Sequence, residues 1–484
     1  MTNPQKNRKA RRPTSRATHS RPLANELHLI RKIYVEQLFG KYTYHIEARD
    51  PKSSNVAPQL MLLYGGNGSG KTTILKILWN LFSPSPRNDH RSNLIKTPFR
   101  RVVVTLGNGE EVQATKTEGL VGPLTVSVRR GEEELLEVEY PSRPRDVPIE
   151  VYRRIRNEYA RQGVDLNDIP PRELGSYVTL DDSGNSDPYI EYLESMGYVP
   201  VLLADDRKMH LDSSESRSSK NRYIRYGDNE SFEEEKEESQ LAVHVETAVR
   251  RAYNWLRQAV LAASEAGSES VEDVYLQVLS RLSNTGDSGS NTTLDELRKR
   301  IIQLEERARQ FTEFGIFPGF DSQPYSKLLR GVNSTRADAV ISVLEPYVSS
   351  QDARLDQLQP LQEILRSFVV SVNQYLVDKE IRFTLQGGLV ISGATGRLRP
   401  NQLSSGERQL LLLVCNALLA RNNTGLFLVD EPELSLNAGW QRKIVGTLLD
   451  LAQGSNVQFV MATHSIEIIT RHRRSLAPLG GDDE

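Results

Sequence analysis

The stretch Gly65-Gly66-Asn67-Gly68-Ser69-Gly70-Lys71-Thr72 constrains this chain more than any other. It fits the spacing G-x-x-x-x-G-K-[ST] and lies between an apolar run, Leu60 to Tyr64, and an amphipathic one, Thr73 to Trp79. Strand, glycine-rich loop and helix in that order are the context the pattern needs before it carries meaning. Glycines let the backbone curl until successive N–H groups and the helix N-terminus converge on one anion. The expectation is a phosphate-binding loop in which Lys71 reaches the β- and γ-phosphates and the Thr72 hydroxyl sits on Mg²⁺.

A phosphate loop alone says nucleotide and no more, so three further stretches matter. Leu426 to Asp430 is an apolar strand ending in acids, Asp430-Glu431-Pro432-Glu433. Asp430 at the strand end suits the Mg²⁺ sphere, and Glu431 beside it suits proton abstraction from an attacking water. Phe459 to Ala462 is another buried strand, running through Thr463 into His464. A lone histidine there is ordinarily structural; beside the other motifs it reads as a γ-phosphate contact. Finally, Leu403-Ser404-Ser405-Gly406-Glu407-Arg408-Gln409 opens an apolar helix with Ser404 as N-cap, a second anion-binding terminus.

With those residues in place, the chain resembles the ABC-type ATPases, in the L-S-S-G-E-R-Q signature wording common among SMC, RecF and OLD-like proteins. The resemblance implies an α/β fold: a P-loop NTPase head of ABC type with an antiparallel β-subdomain. It implies ATP and Mg²⁺ as cofactors and two heads paired head to tail, the phosphate loop of one and the signature of the other closing over a shared ATP. It assigns Asn67 through Thr73, in the loop begun by Gly65 and Gly66, to phosphate contact, with Ser404 and Gly406 reaching the γ-phosphate in trans. Asp430 becomes the metal acid with Thr72, Glu431 the base and His464 the switch histidine. Ser435-Leu436-Asn437 falls at the D-loop, where many OLD-like relatives carry His in place of Asn437.

Lys71 and Ser404 lie 333 residues apart, which implies a large insertion within one head. SMC proteins place a long coiled coil there. This chain carries polar loops and short helices, so its organisation is nearer to compact anti-phage ATPases such as the OLD, PtuA and AriA groups. Expected boundaries are a basic tail over 1–22, an N-terminal head lobe over 23–145, a mostly helical insertion over 146–378 and a C-terminal lobe over 379–484. Alternation over 27–49 suggests two strands, and Gly107-Asn108-Gly109 marks a hairpin. Residues 150–162 read as a basic helix, and Tyr198 to Ala204 as a short buried strand. Ser213–Ser219 and Ser231–Ser239 are low-complexity and read as loops. Over 293–311 Leu294, Leu297, Ile301, Leu304, Ala308 and Phe311 form a heptad stripe, opened by a Thr293–Glu296 capping box and too short for a coiled coil. A short helical hairpin is the expectation there, and Leu361 to Tyr375 reads as a second buried stripe.

Composition narrows the function. Net charge is −2, so no whole-molecule field marks a nucleic-acid binder, although residues 1–22 hold seven basic residues and no acid. No apolar run approaches the roughly 20 residues of a membrane span. Cys415 is the only cysteine, which excludes an intramolecular disulfide. A cytoplasmic protein is expected. About twenty residues follow His464 with no cluster of acids on strands to hold catalytic metals, so any nuclease or toxin effector is expected on another chain. The expected function is an ATP-gated sensor or scaffold that forms a homo-oligomer and holds such an effector in anti-phage defence. The alternative is a RecF-like or SMC-like ATPase that binds DNA in repair or chromosome maintenance.

Overall fold

The computed structural model describes residues 29–47, 59–85, 90–140, 187–197, 199–204, 209–211, 231–266, 278, 293–421 and 425–479. β1 (Ile30–Leu38) and β2 (Tyr42–Glu47) precede β3 (Leu60–Tyr64), the glycine loop and α1 (Lys71–Phe82). Next come α2 (His90–Lys96), β4 (Arg101–Leu106), β5 (Glu110–Lys116), β6 (Leu124–Arg130) and β7 (Glu133–Tyr140). The central stretch holds α3 (Pro188–Ser195), β8 (Val201–Leu203), β9 (Met209–Leu211), α4 (Ser231–Ala266), α5 (Leu294–Thr312), α6 (Gln323–Arg330) and α7 (Ser334–Asn373). The C-terminal part runs through β10 (Lys379–Thr384), β11 (Gly388–Gly393), β12 (Gly396–Leu398), α8 (Ser405–Ala420) and β13 (Leu426–Asp430). It ends with α9 (Ala438–Ala452), β14 (Gln458–Ala462), α10 (Ile466–Arg471) and β15 (Leu476–Pro478).

The strands form an antiparallel sheet β2-β1-β4-β5-β6-β7, a small sheet β10-β11-β12 and a mainly parallel sheet β15-β3-β14-β13-β8-β9. In the first, alternating burial leaves one polar face, and the Gly107-Asn108-Gly109 turn joins β4 to β5 with Gly109 at φ 83°. The parallel strands β3, β13 and β14 are apolar over four of their five residues because both faces are covered, with Asp430 and Gln458 the polar exceptions at strand ends. Leu62, Phe427, Val429, Phe459 and Met461 face a core shared with α4, α5, α7 and α8. Leu63, Leu428, Val460 and Ala462 face the opposite core with α1 and the antiparallel sheet. Gln458, fully buried, staples the two large sheets: it accepts from the Ile30 N–H at 2.7 Å and donates to the Ile30 carbonyl at 2.6 Å.

The Tyr198–Ala204 segment supplies β8, which pairs in parallel with β13, so residues distant from both head lobes in sequence complete the nucleotide sheet. α5 starts with the Thr293–Glu296 capping box and buries Leu297, Ile301, Leu304, Ala308 and Phe311. The expected short hairpin is α5 with α6, which returns antiparallel: the Ser322 N–H donates to Glu305 Oε2 at 3.3 Å and Arg298 donates to the Leu329 carbonyl, while α7 lies parallel to α5. Arg300 pairs with Asp352 and Arg307 with Asp352 and Asp356, so the register climbs together and the two helices run in the same direction. α6 and its flanking turns carry the chain back between them. The acidic run Ser231–Ser239 is helix, not loop, because glutamate and lysine are good helix formers and acids suit a helix N-terminus. The basic stretch 150–162, the run 213–219 and the tail 1–22 lie outside the described residues. Among the described residues no helix is long and apolar enough to cross a membrane.

Candidate nucleotide site

The phosphate loop is shaped by its neighbours in β1 and β2. Gly68 and Gly70 sit at φ 77° and 88°, in the left-handed region that favours glycine. At Gly70 an added Cβ would stand 2.6 Å from Leu38 Cδ2, so a side chain there would have to displace the buried Leu38 as well as adopt the left-handed backbone. The Tyr44 hydroxyl donates to the Ser69 carbonyl at 2.9 Å and holds the loop from β2. On the other side a Cβ at Gly66 or Gly68 meets nothing within 4 Å, which leaves a cradle.

α1 begins at Gly70 with no side-chain cap and no acid in its first turn. By contrast α5, α8, α9 and α10 are capped by Thr293, Ser404, Asn437 and Ser465. The N–H groups that open α1 are thus left to an external anion. Lys71 is 6% exposed and donates from Nζ to the carbonyls of Gly65 and Gly66, each at 2.9 Å. Burial lowers its pKa, while the carboxylates of Asp430, Glu431 and Glu433 pull it back up. The three carboxylates thus lie within electrostatic range of the Lys71 ammonium.

Strand register explains the convergence. Asp430 pairs with Ala462, and Ala462 with Leu63, so β13, β14 and β3 end in one row. Their carboxyl ends present Asp430, His464 and the glycine loop along a single edge, the usual ligand edge of a parallel α/β sheet. Asp430 is 4% exposed and His464 is exposed. Glu431 takes φ 49°, a conformation uncommon for a residue with a side chain, and its N–H donates to the Ala462 carbonyl at 2.9 Å. The chain therefore leaves β13 abruptly between Asp430 and Glu431.

A further acid, Glu433, organises this edge. Its Oε1 accepts from the Thr463 hydroxyl at 2.9 Å, the His464 N–H at 2.6 Å and the Ser465 N–H at 3.0 Å. One carboxylate oxygen thus fixes the backbone that carries the histidine. Gln441 adds a second tie: it donates to the Leu436 carbonyl at 2.8 Å and accepts from the Ser465 hydroxyl at 2.8 Å. Sequence reading assigned neither a role; the acid two residues after Glu431 was the available signal for Glu433. Phe39, 45% exposed at φ 56°, lies against the loop with its ring 3.2 Å from the Cβ position at Gly70. Nothing in the sequence marked it.

Ser404 and Gly406 lie together at the start of α8. Ser404 and Glu407 close a reciprocal capping box, and Lys379 donates to both Glu407 oxygens at 2.7 and 2.8 Å. Burial pushes the Glu407 pKa up, but the Lys379 hydrogen bonds and the Ser404 backbone outweigh it, and the net shift is downward. A Cβ at Gly406 would meet the Ser435 carbonyl at 2.7 Å, so only glycine lets the signature helix rest on the loop after β13.

A family model described as "AAA domain, putative AbiEii toxin, Type IV TA system" matches residues 60–470. The chain belongs to that family. As a member of this AAA-domain family it carries the α/β fold with a P-loop. It is similar to the lipoprotein-releasing system ATP-binding protein LolD of Cereibacter sphaeroides, 38% identical over 87 residues, 18% of this chain and 38% of that one. It is also similar to the Retron Vc95 probable ATPase of Vibrio cholerae, 27% identical over 139 residues, 26% of each. The chain thus spans less than two fifths of the length of either relative. Among solved structures, the Smc head domain with an extended coiled coil bound to the C-terminal domain of ScpA, from Pyrococcus furiosus, matches at TM-score 0.34 and 12% identity. That match covers 93% of this chain and 95% of the other.

Proposed function

We propose that the chain binds and hydrolyses ATP in a head-to-tail pair of its own copies and uses that cycle to gate a separate effector in anti-phage defence. The observation that carries the reading is the single edge at which Lys71, Asp430, Glu431 and His464 meet beside an uncapped helix terminus. The donor set fits a metal–triphosphate: loop N–H groups and Lys71 for phosphate oxygens, the Thr72 hydroxyl and Asp430 for Mg²⁺. When bound, Mg²⁺ neutralises charge on the phosphate oxygens. Lys71 then exchanges its Gly65 and Gly66 carbonyls for phosphate oxygens. Glu431 takes the proton of the attacking water, and His464, held by Glu433, donates to the terminal phosphate. Ser404 accepts the Glu407 N–H, which leaves the Ser404 O–H proton free to donate to the γ-phosphate of a partner copy.

The similarity to the Retron Vc95 probable ATPase supports the use of ATP; in the proposed cycle, ATP-dependent pairing sets whether the effector is held or released. The test is the Glu431→Gln protein, which keeps the fold and loses the base. It is expected to bind ATP, stay dimeric by analytical ultracentrifugation and turn ATP over at least about 100-fold more slowly. Undiminished turnover would refute the assignment of Glu431.

A further inference from the structure

A cleft of about 1300 Å³ opens between α4, the β10–β12 sheet and the start of α8, away from the phosphate loop in its lining. Its charge is one-sided. Arg250 from α4, Arg397 and Arg399 from the β12 segment and Arg408 from the signature helix line it, against a single acid, Glu246. Among the described residues Arg250, Arg397 and Arg399 make no ion pair, and all three are exposed. Three unneutralised guanidinium groups around one opening are an anion-binding arrangement.

The rest of the lining says which anion. Val243, 59% exposed, together with Val249, Leu389 and Leu398, gives the cleft apolar wall between the arginines. A nucleic-acid strand is held by a cationic track with free aromatic faces for its bases. Tyr253, the lone aromatic in this lining, is already engaged: its hydroxyl donates to the Leu385 carbonyl at 3.1 Å and its ring leans on Phe383, centroids 6.0 Å apart. No lysine lines the cleft. Its volume also exceeds the 300–1,000 Å³ usual for a small-molecule site. Mixed apolar and arginine lining on this scale fits a polypeptide segment that alternates acidic and apolar side chains.

We infer that this cleft is the docking site for an acidic, amphipathic segment of a partner protein. Its position gives the contact a consequence. The sheet that forms its wall also carries Lys379, whose ammonium holds Glu407 of the signature, and Arg408 belongs to the signature itself. A segment seated there touches the helix that presents Ser404. The inference rests on the gating reading only for the claim that the partner is the effector; the binding chemistry stands apart from ATP turnover.

The test uses the full chain without nucleotide and a fluorescein-labelled peptide of about ten residues alternating glutamate and leucine, followed by fluorescence anisotropy. Saturable binding is expected. Arg250→Glu with Arg397→Glu should weaken it about tenfold or more, and Arg250→Gln with Arg397→Gln should fall between. Reversal of Arg366, outside the cleft, should leave it unchanged. Circular dichroism melting checks that each variant folds; since both arginines are exposed, the melts should coincide. Equal affinity in the double reversal, or no peptide binding, overturns the inference. So does tighter binding of a labelled oligothymidylate that the same double reversal abolishes, which would make the cleft a nucleic-acid interface.

Discussion

Glu433 shows how much one side chain carries at this site. Three donors from Thr463, His464 and Ser465 share its Oε1, and hydrogen bonds to a charged acceptor are each worth about 1.5–3 kcal/mol. Glu433→Ala strands two backbone N–H groups and frees the turn that carries His464. The expected result is a loss of about 1–3 kcal/mol in urea denaturation and a fall in kcat of about tenfold or more with little change in KM. Glu433→Gln keeps the accepting oxygen and should recover much of both. If Ala and Gln behave alike, the oxygen is not what positions the turn. Glu431, two residues earlier, illustrates the opposite economy, a left-handed backbone tolerated where the chain must turn from β13 into the loop that follows it.

At the scale of elements, caps and close approaches decide which helix ends are left for ligands. α1 alone among the helices at the site begins on an uncapped glycine, while α8 is locked by Ser404 and Glu407. α2 is finished from outside. Lys116 at the end of β5 is 1% exposed and donates to the carbonyls of Leu94 and Ile95 at 2.6 and 2.8 Å, so a cation from the sheet closes the last turn of the helix. Burial lowers its pKa to about 8. Between that value and the ordinary lysine range the unfolded chain holds a proton the native chain has lost, so stability rises with pH across this window. Above about 10 the trend reverses. Burial raises the phenols of Tyr140, Tyr189 and Tyr192, so the unfolded chain ionises first and native stability falls. Urea midpoints should therefore climb from pH 8 to 9.5 and drop beyond 10. The climb should shrink markedly in Lys116→Met, leaving the smaller share from Lys71, while the drop remains.

At the scale of the whole molecule, the parallel sheet gathers strands from both ends of the chain and its middle. β3, β8, β13 and β14 lie side by side although the first and last are separated by nearly 400 residues, and β15 closes the edge. The proposed pairing of two copies makes a further prediction. Lys71→Ala spoils the phosphate loop and Ser404→Arg spoils the signature, so each protein alone should be inactive. Mixed, they form heterodimers in which one composite site carries both lesions and the other neither. Turnover of about a quarter of wild type is expected from random pairing of independent sites. Activity no greater than the sum of the separate variants would exclude a shared nucleotide.

The glycine loop, the acid pair after β13, the histidine after β14 and the serine-capped signature were legible as strings, because each is a local pattern that works only with its own flanking strand or helix. Local alternation likewise marked β1, β2 and the β4–β5 hairpin, and spacing marked the buried face of α5. Tertiary structure alone decided that Val201–Leu203 would lie beside β13, that α5 and α7 would run in the same direction, and that Gln458 would staple two sheets. It also decided that Glu433 would hold the histidine turn and that scattered arginines would line one cleft. The reason is physical: a residue's own propensities and its neighbours within a turn or strand are written in sequence order. Contacts made across hundreds of residues depend on which apolar faces find each other when the cores close.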